Sequence, residues 1–324
     1  MSTSISTRNA PGAAVQFVTV DETHAGQRLD NFLLGRLKGV PRERVYRIVR
    51  KGEVRINKGR ASPDYRLQTG DVVRIPPVRM STVAAPFGDK TDLAWLEACV
   101  LFEDEALIVL DKPSGLAVHG GSGVSLGLIE AMRQRRPALR FLELAHRLDR
   151  DTSGVILLAK KRAALLGLHE QLRGDGMDKR YLALTRGEWR ARGQMIEAPL
   201  KKNELSSGER FVRVQADGKA ARSQVTTREI VAGTSLVEIA LLTGRTHQAR
   251  AHCTYAGHPI AGDEKYGDAT FNTELRAAGL RRLFLHAWRV ELSHPVTAQT
   301  LGFEAPMPRE LTQVLDNLRS HAPV

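Results

Sequence analysis

Apolar residues near the N-terminus follow a helical spacing. Leu29, Phe32, Leu33 and Leu37 predict a short amphipathic helix ending near Gly39. Pro41 suits the first turn of a second helix and Gly52 its stop. Within that helix Val45, Ile48 and Val49 form the apolar stripe, while Arg44, Arg47 and Lys51 share another face, with Arg50 nearby. Val54 and Ile56 alternate with polar neighbours, predicting a half-buried strand. A polar turn at Lys58-Gly59-Arg60 and a strand at 72–75 complete a first unit.

Residues 78–92, with Pro86 and Gly88, read as a linker. Beyond it, 100–103 and 107–110 form a hairpin-like pair that ends at Lys112-Pro113-Ser114-Gly115. A flexible loop at 120–123, a helix at 125–135, a buried strand at 155–160 and a helix at 163–173 follow. Further strands are expected at 179–184, 225–231, 236–242, 284–292 and 300–304, with an exposed loop at Ser206-Ser207-Gly208 and a closing helix at 309–319. Strands dominate without regular βαβ alternation and without internal repeats. This predicts an α+β fold around a mostly antiparallel or mixed sheet. The expected division is a tail at 1–17, a small domain at 18–79, a linker at 80–97 and a larger domain at 98–324.

The 324 residues suffice for two domains, and 42% hydrophobic with 26% charged residues is an ordinary globular balance. Charge changes the picture. The chain carries +12, and residues 28–79 hold 14 Lys and Arg against 5 Asp and Glu, or +9 of that total. Such a concentration favours a polyanionic partner. Cys99 and Cys253 are too few for a disulfide framework and lack metal-ligand spacing, and Cys253 is expected as a small core residue. No run has the length of a membrane span, and residues 1–14 lack an apolar signal region. A cytoplasmic protein is expected.

The chemistry concentrates in Leu144-Ala145-His146-Arg147-Leu148-Asp149-Arg150-Asp151-Thr152-Ser153-Gly154, a charged loop fixed to the buried strand at 155–160. His-Arg-Leu-Asp-x-x-Thr-Ser-Gly resembles the signature of pseudouridine synthases of the RluA type. The resemblance implies that Asp149 is catalytic, and that Arg147 occupies the space left by a flipped base. A second run, Gly244-Arg245-Thr246-His247-Gln248-Ala249-Arg250, resembles the family's Gly-Arg-x-His-Gln-Ile-Arg element, with Ala249 in place of Ile. It implies that Arg245 pairs with the catalytic Asp, where a guanidinium favours the charged carboxylate. Tyr181 in Lys179-Arg180-Tyr181 matches the family's active-site Tyr, and Asp263-Glu264-Lys265-Tyr266-Gly267 resembles a supporting element. His146 is expected to be structural. His247, His252 and Cys253 lack the usual zinc spacing, so no metal is expected.

The basic first unit resembles the S4 RNA-binding domain through Arg28-Leu29-Asp30-Asn31-Phe32-Leu33, Lys51-Gly52-Glu53-Val54-Arg55-Ile56-Asn57 and Leu67-Gln68-Thr69-Gly70-Asp71. Arg44, Arg47, Arg50 and Lys51 are its expected phosphate contacts. Together the motifs look closest to the RluC-type synthases of large-subunit (23S) ribosomal RNA. They imply a cofactor-free monomer with an S4-like domain and a synthase domain. The implied reaction breaks the N1–C1′ bond of a flipped uridine and joins C5 to C1′. A synthase acting on transfer RNA, a non-catalytic RNA-binding protein and a carboxylate glycosidase are the rival readings. The last needs a second acid, and Asp151 is too near in sequence to Asp149 to supply it.

Overall fold

The computed structural model describes residues 15–37, 40, 42–78, 93–120, 126–174, 176–204 and 210–320. Gly39, Pro41, residues 1–14 of the expected tail, 79–92 of the expected linker, the loop at 121–123 and Ser206-Ser207-Gly208 lie outside these. The chain divides into two compact units, Met1–Thr91 and Asp92–Val324.

The first unit runs β1 (Gln16–Thr19), α1 (Leu29–Arg36), α2 (Arg42–Arg50), β2 (Arg55–Ile56) and β3 (Val72–Ile75). β3 is the middle strand, antiparallel to both others. Leu29, Phe32 and Leu33 meet Val45, Ile48 and Val49 in one core with Val73 and Ile75. Buried Asp30 joins the helices by accepting from Arg28 Nη2 (2.8 Å) and Tyr46 Oη (2.9 Å). One expectation is corrected. Gln16 and Phe17, assigned to the tail, open β1 and pair with Ile75 and Arg74. Four alternating residues carry little signal until β3 is there to receive them.

The second unit begins with α3 (Trp95–Ala98), β4 (Val100–Glu103), β5 (Leu107–Lys112), α4 (Leu128–Arg135), β6 (Glu143–Leu144) and β7 (Ser153–Ala159). α5 (Arg162–Arg173), β8 (Met177–Arg186), β9 (Arg192–Glu197), β10 (Leu200–Glu204), β11 (Arg210–Val214), β12 (Arg222–Val231) and β13 (Thr234–Leu241) follow. α6 (Gln248–Tyr255), α7 (Ala269–Ala277), β14 (Leu285–Ser293), β15 (Thr300–Glu304) and α8 (Arg309–Ser320) complete it. The linker expectation is corrected at its end. Residues 93–97 belong to this unit, because Leu93 and Leu96 are buried with Ile108, Leu110 and Ile156. The helix at Ala269–Ala277 had no expected counterpart, and neither did the strand at Arg192–Glu197.

The main sheet has the order β4-β5-β7-β14-β8-β13-β12-β9, with β6 on β7 and β15 on β14. It is antiparallel except where β14 meets β7, at His286–Ser153 and Ala287–Gly154. Ile156 and Leu158 of β7 face Leu128, Ile129 and Met132 of α4. Val155, Leu157 and Ala159 pack with Ala164 and Leu168 of α5. Cover on both faces is why β7 reads as an unbroken apolar run rather than an alternating one. Along one row of the sheet lie Gly154, Ala287, Tyr181 and Ile239, on β7, β14, β8 and β13.

Candidate active site

Asp149 sits in the turn that feeds β7. Ala145 and Leu148 are buried and anchor the loop, while Arg147 between them is exposed. His146 Nε2 accepts the Leu157 N–H at 3.2 Å, a structural bond, and burial pulls its pKa down to about 4. The Thr152 N–H closes the turn onto the Asp149 carbonyl at 3.2 Å.

The segment after β5 clamps this turn from behind. Lys112 Nζ, fully buried, donates to the carbonyls of Pro113 (2.8 Å), Leu116 (2.9 Å) and Arg150 (3.1 Å). The Gly115 N–H also reaches the Arg150 carbonyl (2.9 Å), and Ser114 Oγ reaches that of Asp151 (2.8 Å). Burial lowers the Lys112 pKa to about 8, so the ammonium keeps all three donors at neutral pH. Lys112→Met leaves the Pro113 and Leu116 carbonyls without this donor, at about 1–3 kcal/mol for each that stays dry, while the Arg150 carbonyl keeps the Gly115 N–H. Lower thermal stability and weaker activity are both expected, measured by calorimetry and by product yield. Unchanged values would mean that the clamp is dispensable.

The structure corrects the expected partner of Asp149. Arg250 Nη1, not Arg245, reaches Asp149 Oδ2, at 3.2 Å. Arg245 is exposed and its Nε donates to the Ala220 carbonyl at 2.9 Å. The cause is local. Gln248 Oε1 accepts from Thr243 Oγ1 (2.7 Å) and from the Arg245 N–H (3.0 Å), and so fixes the turn. His247 takes a left-handed backbone (φ 53°) before α6 starts at Gln248. The reversal turns Arg245 out and leaves Arg250, the third residue of the helix, pointing in. Buried Asp263 grips the same guanidinium through two bonds of 2.7 and 2.8 Å. Burial acts to lower the Arg250 pKa, but Asp263 and then Asp149 outweigh it and raise the pKa. The Tyr266 ring lies 4.9 Å from the Arg250 guanidinium carbon.

His247, Asp263 and Tyr266 were not among the expected catalytic residues. His247 Nε2 lies 3.6 Å from Asp149 Oδ1, and its Nδ1 is 2.8 Å from Tyr266 Oη. Their positions in two quoted runs were a signal, but spacing alone does not say that the runs meet.

Two cavities open on Asp149. The first, about 630 Å³, is lined by Arg147, Asp149, Tyr181, Arg245, His247 and Arg250 among others. That size falls in the about 300–1,000 Å³ range of small-ligand sites. Tyr181 is half-buried on β8, and burial together with the Asp149 charge pushes its phenol pKa up. The ring therefore serves as a protonated, largely apolar wall. The second cavity, about 1020 Å³, shares Arg147, Asp149, His247 and Arg250 with the first and adds Lys265, Arg276, Arg281 and Arg282. Asp149 thus stands between a mixed pocket and a cationic groove. That arrangement suits an anionic chain that sends one group past a carboxylate.

In the first unit Arg44, Arg47, Arg50 and Lys51 are all exposed, opposite the buried stripe of α2. Among the described residues no group of three or more His, Cys, Asp or Glu could hold a metal ion. No described helix is long and apolar enough to cross a membrane.

Comparison with known proteins gives the family. Residues 106–255 match the family described as RNA pseudouridylate synthase, and 27–73 match the S4 domain. "Ribosomal large subunit pseudouridine synthase C" of Pasteurella multocida (strain Pm70) is 55% identical over 94% of each chain. The protein of the same name from Escherichia coli (strain K12) is 52% identical over 96% of this chain and 98% of its own. Among solved structures, "Human RNA Pseudouridylate Synthase Domain Containing 4" aligns with a TM-score of 0.58 at 26% identity, over 70% of this chain and 95% of that one. The loop that presents Asp149, the sheet that carries Tyr181 and the near full-length identity converge: the chain belongs to the RNA pseudouridylate synthase family and carries an S4 domain.

Proposed function

We propose that this enzyme isomerises specific uridines of 23S ribosomal RNA to pseudouridine, with Asp149 as the catalytic carboxylate. The Arg250–Asp149 ion pair at the mouth of a nucleotide-sized cavity carries the reading. The relatives named for the large ribosomal subunit support the substrate class. The target base leaves its stack and enters the first cavity, where Tyr181 lines the ring and Arg147 stands at the gap left in the RNA. Asp149 acts on the flipped uridine as nucleophile or base. The N1–C1′ bond breaks, the uracil turns, C5 bonds to C1′, and the C5 proton is exchanged for one on N1, so the nucleotide keeps its atoms. Arg245, at the wall of the same cavity, contributes charge toward the RNA rather than toward Asp149. The enzyme acts in the cytoplasm as a monomer without a metal.

Pseudouridine mapping on total RNA, with and without the gene, tests the reading. Loss at discrete 23S positions, restored by the wild-type gene, is expected. Loss confined to transfer RNA would keep the chemistry and overturn the substrate, and no loss would favour a non-catalytic RNA-binding role. The first unit has its own test. Replacing Arg44, Arg47, Arg50 and Lys51 by Ala should flatten the dependence of log K on log salt by roughly 3, at about 0.7–0.9 per lost phosphate contact. An unchanged slope would show that these side chains are merely solvated.

A further inference from the structure

Asp149 is held at one oxygen by Arg250, and a single hydrogen bond leaves the broad, two-fold χ2 rotation of an Asp poorly defined. Its other oxygen, Oδ1, faces His247 Nε2 at 3.6 Å. Which nitrogen of that imidazole carries the proton decides whether the contact is attractive, and the surrounding bonds answer this. Tyr266 Oη accepts the Val212 N–H at 2.9 Å. Its own hydrogen is then free for the remaining neighbour, His247 Nδ1, at 2.8 Å. Burial raises the Tyr266 pKa, so the phenol keeps that hydrogen. Nδ1 is therefore the acceptor, and the imidazole proton sits on Nε2, toward Asp149. Burial also holds the His247 pKa below its ordinary value, against the opposing pull of Asp149.

We propose that His247 is a positioning residue for the reaction. Oriented by Tyr266, it presents an Nε2–H to Asp149 Oδ1, while Arg250 holds Oδ2, and so fixes the plane of the carboxylate. The inference rests on the functional reading above, and it assigns to the left-handed turn at His247 a task beyond turning Arg245 out. A non-glycine residue at φ 53° costs of order 1–3 kcal/mol, and such outliers cluster at functional sites. At 3.6 Å the contact is open by over half an ångström, and bonds of this kind shorten once substrate fills the site. Tyr266 links both arms, since its ring also lies against the Arg250 guanidinium.

The test uses the full chain labelled with 15N-histidine, plus single-turnover kinetics on a 23S fragment that contains a mapped target. Two-bond 15N–1H spectra should show the Nε2–H tautomer at His247, whose signal is the one lost in His247→Gln, and a mixture at that residue in Tyr266→Phe. Tyr266→Phe should slow the bound step about tenfold with RNA affinity unchanged. His247→Gln, whose amide N–H reaches the Nε2 position, should stay within about threefold of wild type. His247→Asn, too short to do so, should lose about 100-fold. An Nδ1–H tautomer at His247 in the wild type overturns the proposal, and so does equal activity of His247→Asn and wild type. A wild type that makes no pseudouridine overturns the functional reading instead, while the spectra still decide the tautomer.

Discussion

Asp149→Asn is expected to abolish pseudouridine formation while leaving the fold and RNA binding in place. The change keeps the shape of the side chain and removes the charge that meets Arg250 Nη1. Arg250 retains its two bonds to Asp263, so no guanidinium is stranded in the interior. The thermal midpoint should therefore move little. An amide is a poor nucleophile and no base. A fall of at least about 10³-fold is expected, equivalent to about 4 kcal/mol on the barrier. Product is read on a ribosomal RNA fragment, beside calorimetry and a binding isotherm on the same preparation. Turnover within tenfold of wild type would remove Asp149 from the chemistry. Free uracil in place of pseudouridine from the wild type would point to glycoside hydrolysis.

Gly154→Ala should damage the molecule itself. Gly154 has φ +111°, a conformation L side chains rarely adopt, and it lies directly beside Ala287 in the parallel pairing of β7 with β14. A Cβ there would overlap the Ala287 carbonyl oxygen and lie 2.6 Å from its carbon, both of them backbone atoms in the middle of the sheet. Neither strand has room to yield, since both faces of β7 are packed. A loss of at least about 4 kcal/mol is expected, and at about 2–4 °C per kcal/mol the midpoint should fall by roughly 10 °C. Gly233→Ala is the control. It also has positive φ (68°), but a Cβ would meet nothing within 4 Å, so only the backbone cost of about 1–2 kcal/mol remains. Equal losses in the two variants would show that conformation, not the approach of β14, sets the requirement for glycine.

What the sequence made legible follows from locality. Asp149, its loop and β7 are contiguous, so both the charged turn and the apolar run were readable in place. The exposed row at Arg44, Arg47, Arg50 and Lys51 was readable because helical spacing sorts inward from outward positions. Arg245 and Arg250 were not separable in that way. They lie five residues apart across a helix start, and a single left-handed residue decides which one points in. Asp263 and Tyr266 lie more than 110 residues from Asp149, and nothing local to either says that they meet. α7 carries a local signal: Asp268 caps it by accepting the Phe271 N–H at 2.8 Å, and Phe271 and Leu275 share its buried face.

The position of β14 has a consequence for how the enzyme comes into being. It lies between the strand that follows Asp149 and the strand that carries Tyr181, so two inter-strand steps, each about 4.8 Å, set the width across which those residues face one another. Yet β14, at Leu285–Ser293, is made after both of those strands and after α6. A nascent chain on the ribosome holds Asp149, Tyr181 and Arg250 long before it holds the spacer that sets their distance. Closing so distant a pairing is slow, because loop entropy is lost before contacts are gained. The spacing proposed to serve catalysis is therefore withheld until residues 285–293 have been made, and a shorter nascent chain holds these side chains without it.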